Sequence, residues 1–313
     1  MDDLHAAAPA ESNWGRWGED DERGAANLLT PEAILGAAGT VREGRLLSLG
    51  MPIRGSTSGP AQASVPHLPG RPLPQHFMSV DGADYLAGAR LLNGVIGVAD
   101  DALMISHHGT TTHMDALCHM WRGETLYNGH SAARVRSYGA TRCGIEKAGP
   151  LVTRGVFFDV PAHLGVPHLD ESVRIGADLL RDVAKEQAIS LRPGDVAVIR
   201  TGWPTVYEVD RARYQGGQPG LSHDGGLWLA DHDVAAVACD NAAVGALAMD
   251  GSFDVGPDED LHLLLLWSRG IYLLEMLWLE ELARAGRHEF LFMAAPLALE
   301  GGTGSAVNPV AVL

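Results

Sequence analysis

Between Ser106 and His119 the chain reads Ser-His-His-Gly-Thr-Thr-Thr-His-Met-Asp-Ala-Leu-Cys-His, and no other stretch constrains the fold as strongly. Four histidines and an aspartate fall within 13 residues of a chain that holds 14 histidines in 313, where chance would place about 0.6. Burying so many titratable groups together is costly unless a cation gathers them, so the fold must bring their nitrogens and oxygens to one point. Imidazole and carboxylate suit Zn²⁺ or Mn²⁺, and two histidines with one carboxylate leave positions open for water and substrate. The candidate ligands are His113, Asp115 and either His107 or His108, which the Gly-Thr-Thr-Thr bend lets fold back. If a helix begins at Met114 and runs to Trp121, Asp115 and His119 share a face four residues apart, with His113 on the incoming loop. The rival reading is that these histidines cap helices and satisfy buried backbone groups. Cys118 as a thiolate beside His119 fits poorly, because neighbours on a helix point about 100° apart.

The net charge of −16 repels phosphate backbones and anionic membranes, which argues against nucleic acid as a partner. Apolar runs such as Leu263 to Trp267, five residues, fall far below the roughly 20 needed to span a bilayer. The first residues are acidic and Ala-rich without a basic or long apolar region, so the cytoplasm is the expected compartment. Three cysteines, Cys118, Cys143 and Cys239, lack C-x-x-C spacing, which leaves nitrogen and oxygen ligands for any metal.

Thr30-Pro31-Glu32 reads as a helix start, predicting a helix from Pro31 to about Arg42. Residues 54–75 are too rich in Gly, Pro and Ser for helix or central strand and read as a long ordered loop or arm. Short apolar runs predict strands at Leu46–Ile53, Gly155–Val160, Asp195–Thr201, Val234–Asp240 and Glu289–Ala295. Helical spacing appears at Ala177–Gln187, Asp258–Trp267 and Leu279–Arg284. Strand and helix signals are intermixed without a composition break, so an α/β fold in one domain over residues 1–313 is expected.

The segment from His107 to His119 resembles the signature H-x-G-T-H-x-D-x-P-x-H of the metal-dependent cyclase family, which includes bacterial kynurenine formamidase and isatin hydrolase. His113, Asp115 and His119 fit its second half without a gap, with Leu117 in place of proline. His107-His108-Gly109-Thr110 matches H-x-G-T, but Thr111 and Thr112 are inserted before His113, so His107, which the motif favours, or His108 is the first ligand. The segments Trp17 to Leu29, Thr153 to Val156, Pro219 to Ser222 with Trp228 to Ala230, and Pro296-Leu297 with Gly301 to Ser305 look like the longer branch of this family.

The resemblance implies a swivelling β/β/α architecture with a mixed sheet, a divalent metal, proton transfer by His119, and association as homodimers or larger assemblies. It also pairs His262 with Glu275 as part of a second metal site or of the surroundings of one ion. Read alone, Glu275 ends an apolar run and would be expensive to bury without a cation. The expected function is hydrolysis of a small amide, lactam, lactone or ester through a metal-activated water. Two rivals remain: a lyase or cyclase that stabilises an enolate, and a metal-stabilised binding protein in which Thr111 and Thr112 disable the water-bearing position.

Weaker candidates lie elsewhere. His130 in Asn-Gly-His-Ser reads as turn chemistry. His67 and His76 sit on the Pro-rich arm, as lid or subunit-swapping residues. Asp240 and Asn241 end a strand, a common place for function in α/β folds but equally a turn signal. His163, His168, His223, His232 and His288 read as surface or turn residues.

Overall fold

A computed structural model describes residues 8–54, 66–88, 93–248, 256 and 259–313; residues 55–65 of the arm expected at 54–75 lie outside them. Four of the five apolar runs become inner strands of a nine-stranded sheet, while Leu46–Ile53 shortens to an edge strand of three residues: β1 Leu46–Ser48, β2 His113–Asp115, β3 Leu151–Asp159, β4 Val196–Arg200, β5 Ala236–Cys239, β6 Tyr272–Glu275, β7 Glu289–Ala294, β8 Gly304–Ala306 and β9 Val310–Val312. Their spatial order is β1-β9-β7-β3-β4-β5-β6-β2-β8. The four central strands β3 to β6 run parallel, and every outer pairing is antiparallel. The parallel strands are buried on both faces, which explains why Val196 to Ile199 and Ala236 to Cys239 read as continuous apolar runs rather than alternating ones. The α/β class is the one expected from the sequence pattern, and the mixed sheet is the one the family resemblance implied.

Helix α1 (Pro31–Ala38) starts where predicted, with the Thr30 side chain accepting from the Ala33 amide and Pro31 in the first turn. It ends short of Arg42 because Gly39 takes the cap and the Thr40 hydroxyl donates back to the Ala37 carbonyl. Helix α2 (Ala177–Glu186) buries Ala177, Leu180 and Val183 and lies against β3 and against α3 (His223–Asp231). The helix predicted over Asp258–Trp267 is instead a wide π-type turn at Leu263–Ser268, a form that recurs at functional sites; Asp258 lies outside the described residues. The last predicted helix is Glu280–Ala285.

Strand β3 begins four residues before its predicted start. Its opening carries Arg154, buried between Asp195 (2.6 Å) and Glu289 (2.5 Å), so a charged residue there belongs to the core. One side chain makes four of the hydrogen bonds that tie down the aperiodic segment after Trp14: Asn128 accepts from the Gly15 amide and donates to the carbonyls of Gly18, Glu19 and Asp21. His130 joins the Asp21 carbonyl at 3.1 Å, in keeping with its reading as turn chemistry.

Candidate metal centre

Strand β2 is only three residues long, held between β6 and β8. Alternation along a strand turns His113 and Asp115 to one face and sends Met114, fully buried, to the other. This corrects the helix expected from Met114 to Trp121. Met114 pairs with Leu274 on one side and Ser305 on the other, and a helix would forfeit both ladders. Directly after Asp115 the chain turns, the His119 amide donating to the Ala116 carbonyl. His119 thereby stays near Asp115, Nε2 to Oδ2 4.0 Å.

The register of β6 against β2 sets Glu275 opposite His113. Glu275 is 4% exposed; its Oε2 lies 3.2 Å from His113 Nε2 and its Oε1 lies 3.3 Å from His262 Nε2. His262 stands at the head of the π-type turn, with Nε2 3.8 Å from Asp115 Oδ2. The chain therefore brings to the cluster, from far along the sequence, the histidine and glutamate that the family resemblance had paired.

Of the two alternatives for the first histidine, His108 reaches the cluster. Its Nδ1 lies 2.9 Å from Asp115 Oδ1, its Nε2 lies 3.2 Å from the Thr303 hydroxyl, and its ring stacks on His119 with centroids 3.9 Å apart. The ring of His107 lies behind it, 4.4 Å from that of His108. Two glycines make this possible. Gly109 takes a φ of +74°, and a Cβ on Gly304 would fall 2.7 Å from His108 Cε1 and 2.9 Å from the Met114 carbonyl oxygen. Neither Thr303 nor Gly304 stood out as a site residue in the sequence, because their part depends on the register of β8.

His113 Nδ1 lies 2.8 Å from the Thr111 carbonyl oxygen. With that nitrogen donating, Nε2 presents a lone pair to the cluster. The inserted Thr111 and Thr112 are buried, and the Thr112 hydroxyl accepts from the Met51 amide and donates to the Met276 carbonyl.

Two groups of three side chains offer donor atoms within 4.8 Å of one another: His108, His113 and Asp115, and Asp115, His119 and His262. Asp115 belongs to both. His108 Nδ1, His113 Nε2, both Asp115 oxygens and Glu275 Oε1 are buried without a hydrogen-bond partner among the described residues. Orphaned buried donors and acceptors cost free energy that a cation would recover, so the residues present fit a divalent ion with nitrogen and oxygen ligands.

The protonation pattern shows the same demand for positive charge. Burial pushes His262 down, but Glu275, Asp115 and Asp260 outweigh it and lift it to about 9. His113 is raised likewise, burial being outweighed by Glu275 and Asp115. Burial favours neutral Asp115, yet His119, His108 and His113 hold it below its ordinary value. His119 departs from the ordinary 6.5 expected for it: burial, with repulsion from His108 and His262, overrides the pull of Asp115 and brings it down to about 4. Burial and the charges of His108 and His113 bring His107 down to about 4 as well.

Cys118 does not compete as a nucleophile, since burial pushes its thiol up to about 12. Asp240 has structural partners: it accepts from the Thr201 amide and hydroxyl and from the Gly202 amide. Asn241 donates to the carbonyls of Pro219 and Gly245. His67 meets the Tyr207 hydroxyl at 3.3 Å, and His76 pairs with Asp101 at 2.6 Å, each apart from the cluster. His223, read as a surface or turn residue, is partly buried at the start of α3. There it lines a cavity of about 430 Å³ together with Arg174, Ala243, Asp260, Leu261 and His262. His262 is thus shared between the cavity wall and the cluster.

Residues 32–246 match the model of a family described as "Putative cyclase". The crystal structure of a novel cyclase is 38% identical, covers 96% of this chain and 99% of its own, and superposes with a TM-score of 0.86. Isatin hydrolase A from Ralstonia solanacearum, 18% identical, covers 90% of this chain and 97% of its own with a TM-score of 0.58. An isatin hydrolase bound to the product analogue thioisatinate, 18% identical, covers 91% and 99% with a TM-score of 0.60. Among curated proteins, none matches the sequence.

Proposed function

Because the chain belongs to the cyclase family, we propose that it is a metal-dependent hydrolase of a small amide, lactam, lactone or ester. The observation that carries this reading is the pair of three-residue groups joined at Asp115, whose buried donor atoms lack partners. His108, His113 and Asp115 would hold one Zn²⁺ or Mn²⁺ ion. A divalent ion there supplies a bound water acidified towards a pKa of about 7 and a positive pole for a carbonyl oxygen.

The chain's own residues do the rest. Glu275 buttresses His113 and His262 from across the strand pair. His119, the most exposed member of the second group, is neutral at neutral pH and offers a nitrogen lone pair at the mouth of the cluster. It accepts the proton of the attacking water and returns it to the leaving nitrogen or oxygen, a contribution of about 10² to 10⁴ in rate. A base held near 4 takes a proton poorly from ordinary water and needs an acidified one. The 430 Å³ cavity beside His262 has room for a small molecule.

A second reading, two ions per chain, is favoured by the Asp115, His119 and His262 group, where His119 would be a ligand. Metal content per chain distinguishes the two. The protein stripped by chelator should lose turnover on formamides, lactams and lactones and regain it with Zn²⁺ or Mn²⁺. With one ion, His119→Ala should lower kcat by about 10² to 10⁴ while keeping that ion. Turnover indifferent to chelation would overturn the hydrolase reading, and a product formed without uptake of water would transfer it to a lyase or cyclase.

A further inference from the structure

One wall of the 430 Å³ cavity is built by a part of the chain that has no place in the nine-stranded sheet. Arg174–Ile175 and Gly220–Leu221 pair as a parallel two-stranded ribbon. Strand alternation sends Ile175 into the core and turns Arg174 the other way, where it meets the cavity. Ser222 then leads directly into α3, whose first residue is His223. Two close approaches fix this wall. A Cβ on Gly225 would fall 2.3 Å from the Ile175 carbonyl oxygen, and one on Gly220 would fall 2.4 Å from the Gly245 carbonyl carbon, so α3 and the loop after β5 both press on the ribbon. The Asn241 side chain braces the same junction through the carbonyls of Pro219 and Gly245.

The polar groups of the cavity differ in their partners. Asp224 accepts from the Ala177 amide and the Ser222 hydroxyl. Asp260 accepts from the Leu263 amide and lies 3.9 Å from His262 Nδ1, and Glu259 is exposed to water. The Arg174 guanidinium is anchored through Nη1, which donates to the carbonyls of Glu171 and Val173. His223 Nδ1, by contrast, is buried without a hydrogen-bond partner among the described residues. A ring nitrogen left in this state costs free energy until a group in the cavity meets it. An imidazole N–H and a guanidinium on one cavity are donors suited to a carboxylate. A chain of net charge −16 repels anions at long range, so an anion that enters must be met by specific donors such as these.

We propose that Arg174 and His223 are specificity residues that hold a carboxylate of the substrate while its carbonyl group reaches the cluster beside His262, which lines the same cavity. The substrate class is thereby narrowed to a small amide, lactam, lactone or ester that carries an acid group away from the bond cleaved. The cleavage rests on the hydrolase reading; the carboxylate site rests on the cavity wall alone.

Formanilide and 4-formamidobenzoate carry the same formamide and differ by one carboxylate. The metal-loaded protein should favour 4-formamidobenzoate in kcat/KM by about 10- to 100-fold, the ratio that a charge-assisted hydrogen bond supplies. Arg174→Gln and His223→Ala should each raise KM for 4-formamidobenzoate about tenfold, with kcat kept and formanilide turnover unchanged, because binding that is equal in ground and transition states acts on KM alone. Equal kcat/KM for the two formamides in the parent protein, or a preference that survives both substitutions, would overturn the proposal. Calorimetric titration with 4-aminobenzoate needs no turnover and so separates this outcome from a failure of the hydrolase reading. Binding shown by the parent and lost in the double variant, in a protein that cleaves neither formamide, would uphold the carboxylate site and count only against the hydrolase reading. Binding kept by the double variant would place the carboxylate on the metal instead, and an absence of binding to the parent would equally reject the site.

Discussion

At the scale of single residues, the cluster depends on atoms that are missing as much as on those present. Gly304 leaves room for the His108 ring, which a Cβ would meet at 2.7 Å. Gly304→Ala should therefore leave a folded protein with its metal content and turnover lowered about 10- to 100-fold, the usual penalty for disturbing a ligand's support. A folded variant with unchanged metal content and turnover would contradict this. Asp240 offers a test in pH. Burial lifts its carboxyl from 3.8 to about 6, against the opposing hydrogen bonds from Thr201 and Gly202. The folded state thus holds this proton more tightly than the unfolded one. The stabilisation is complete below about pH 4 and is lost as pH rises through about 6, a fall on the order of 3 kcal/mol. Asp240→Asn removes that dependence and costs about 1–3 kcal/mol at low pH, because its amide nitrogen would face an N–H of Thr201 or Gly202. Urea unfolding of both proteins between pH 4 and 7 checks it; parallel curves would show that Asp240 is not the titrating group.

At the scale of elements, the sequence disclosed the sheet's centre better than its margins. Fully buried parallel strands such as Val196–Arg200 announce themselves by composition, whereas β8 and β9, three residues each, give no periodic signal. The spacing of His113, Asp115 and His119 was legible, but the element carrying it was misread, because three residues of strand followed by a turn bring the same atoms together as a helix would. Glu275 showed in the sequence as a costly carboxylate at the end of an apolar run, but its pairing with His262 was legible only through the family resemblance, since their meeting is a matter of strand order. The loop after Trp14 has no period at all and is held in part by Asn128. Asn128→Ala should loosen it, lowering stability by about 2–3 kcal/mol for the partly buried hydrogen bonds lost. Faster limited proteolysis ahead of α1 would report the loosening, and an unchanged digestion pattern would count against this account.

At the scale of the whole molecule, the centre draws side chains from His108, His113, Asp115 and His119 near the middle of the chain and from His262 and Glu275 far along it, with Gly304 making room near the end. No short segment holds the set, so a bound ion favours the complete fold over the unfolded chain. At a free concentration 1,000 times its Kd, a single ion adds about 4 kcal/mol to stability. Calorimetry should therefore show one unfolding transition that moves to higher temperature as Zn²⁺ or Mn²⁺ is added, and His113→Ala with Asp115→Ala should abolish that movement. A melting temperature indifferent to metal in the parent protein would refute the linkage. Since Asp115 is common to both ligand groups, supply of the cation governs abundance as well as chemistry: a cell starved of it would keep fewer native copies of this chain, and quality control would clear the remainder.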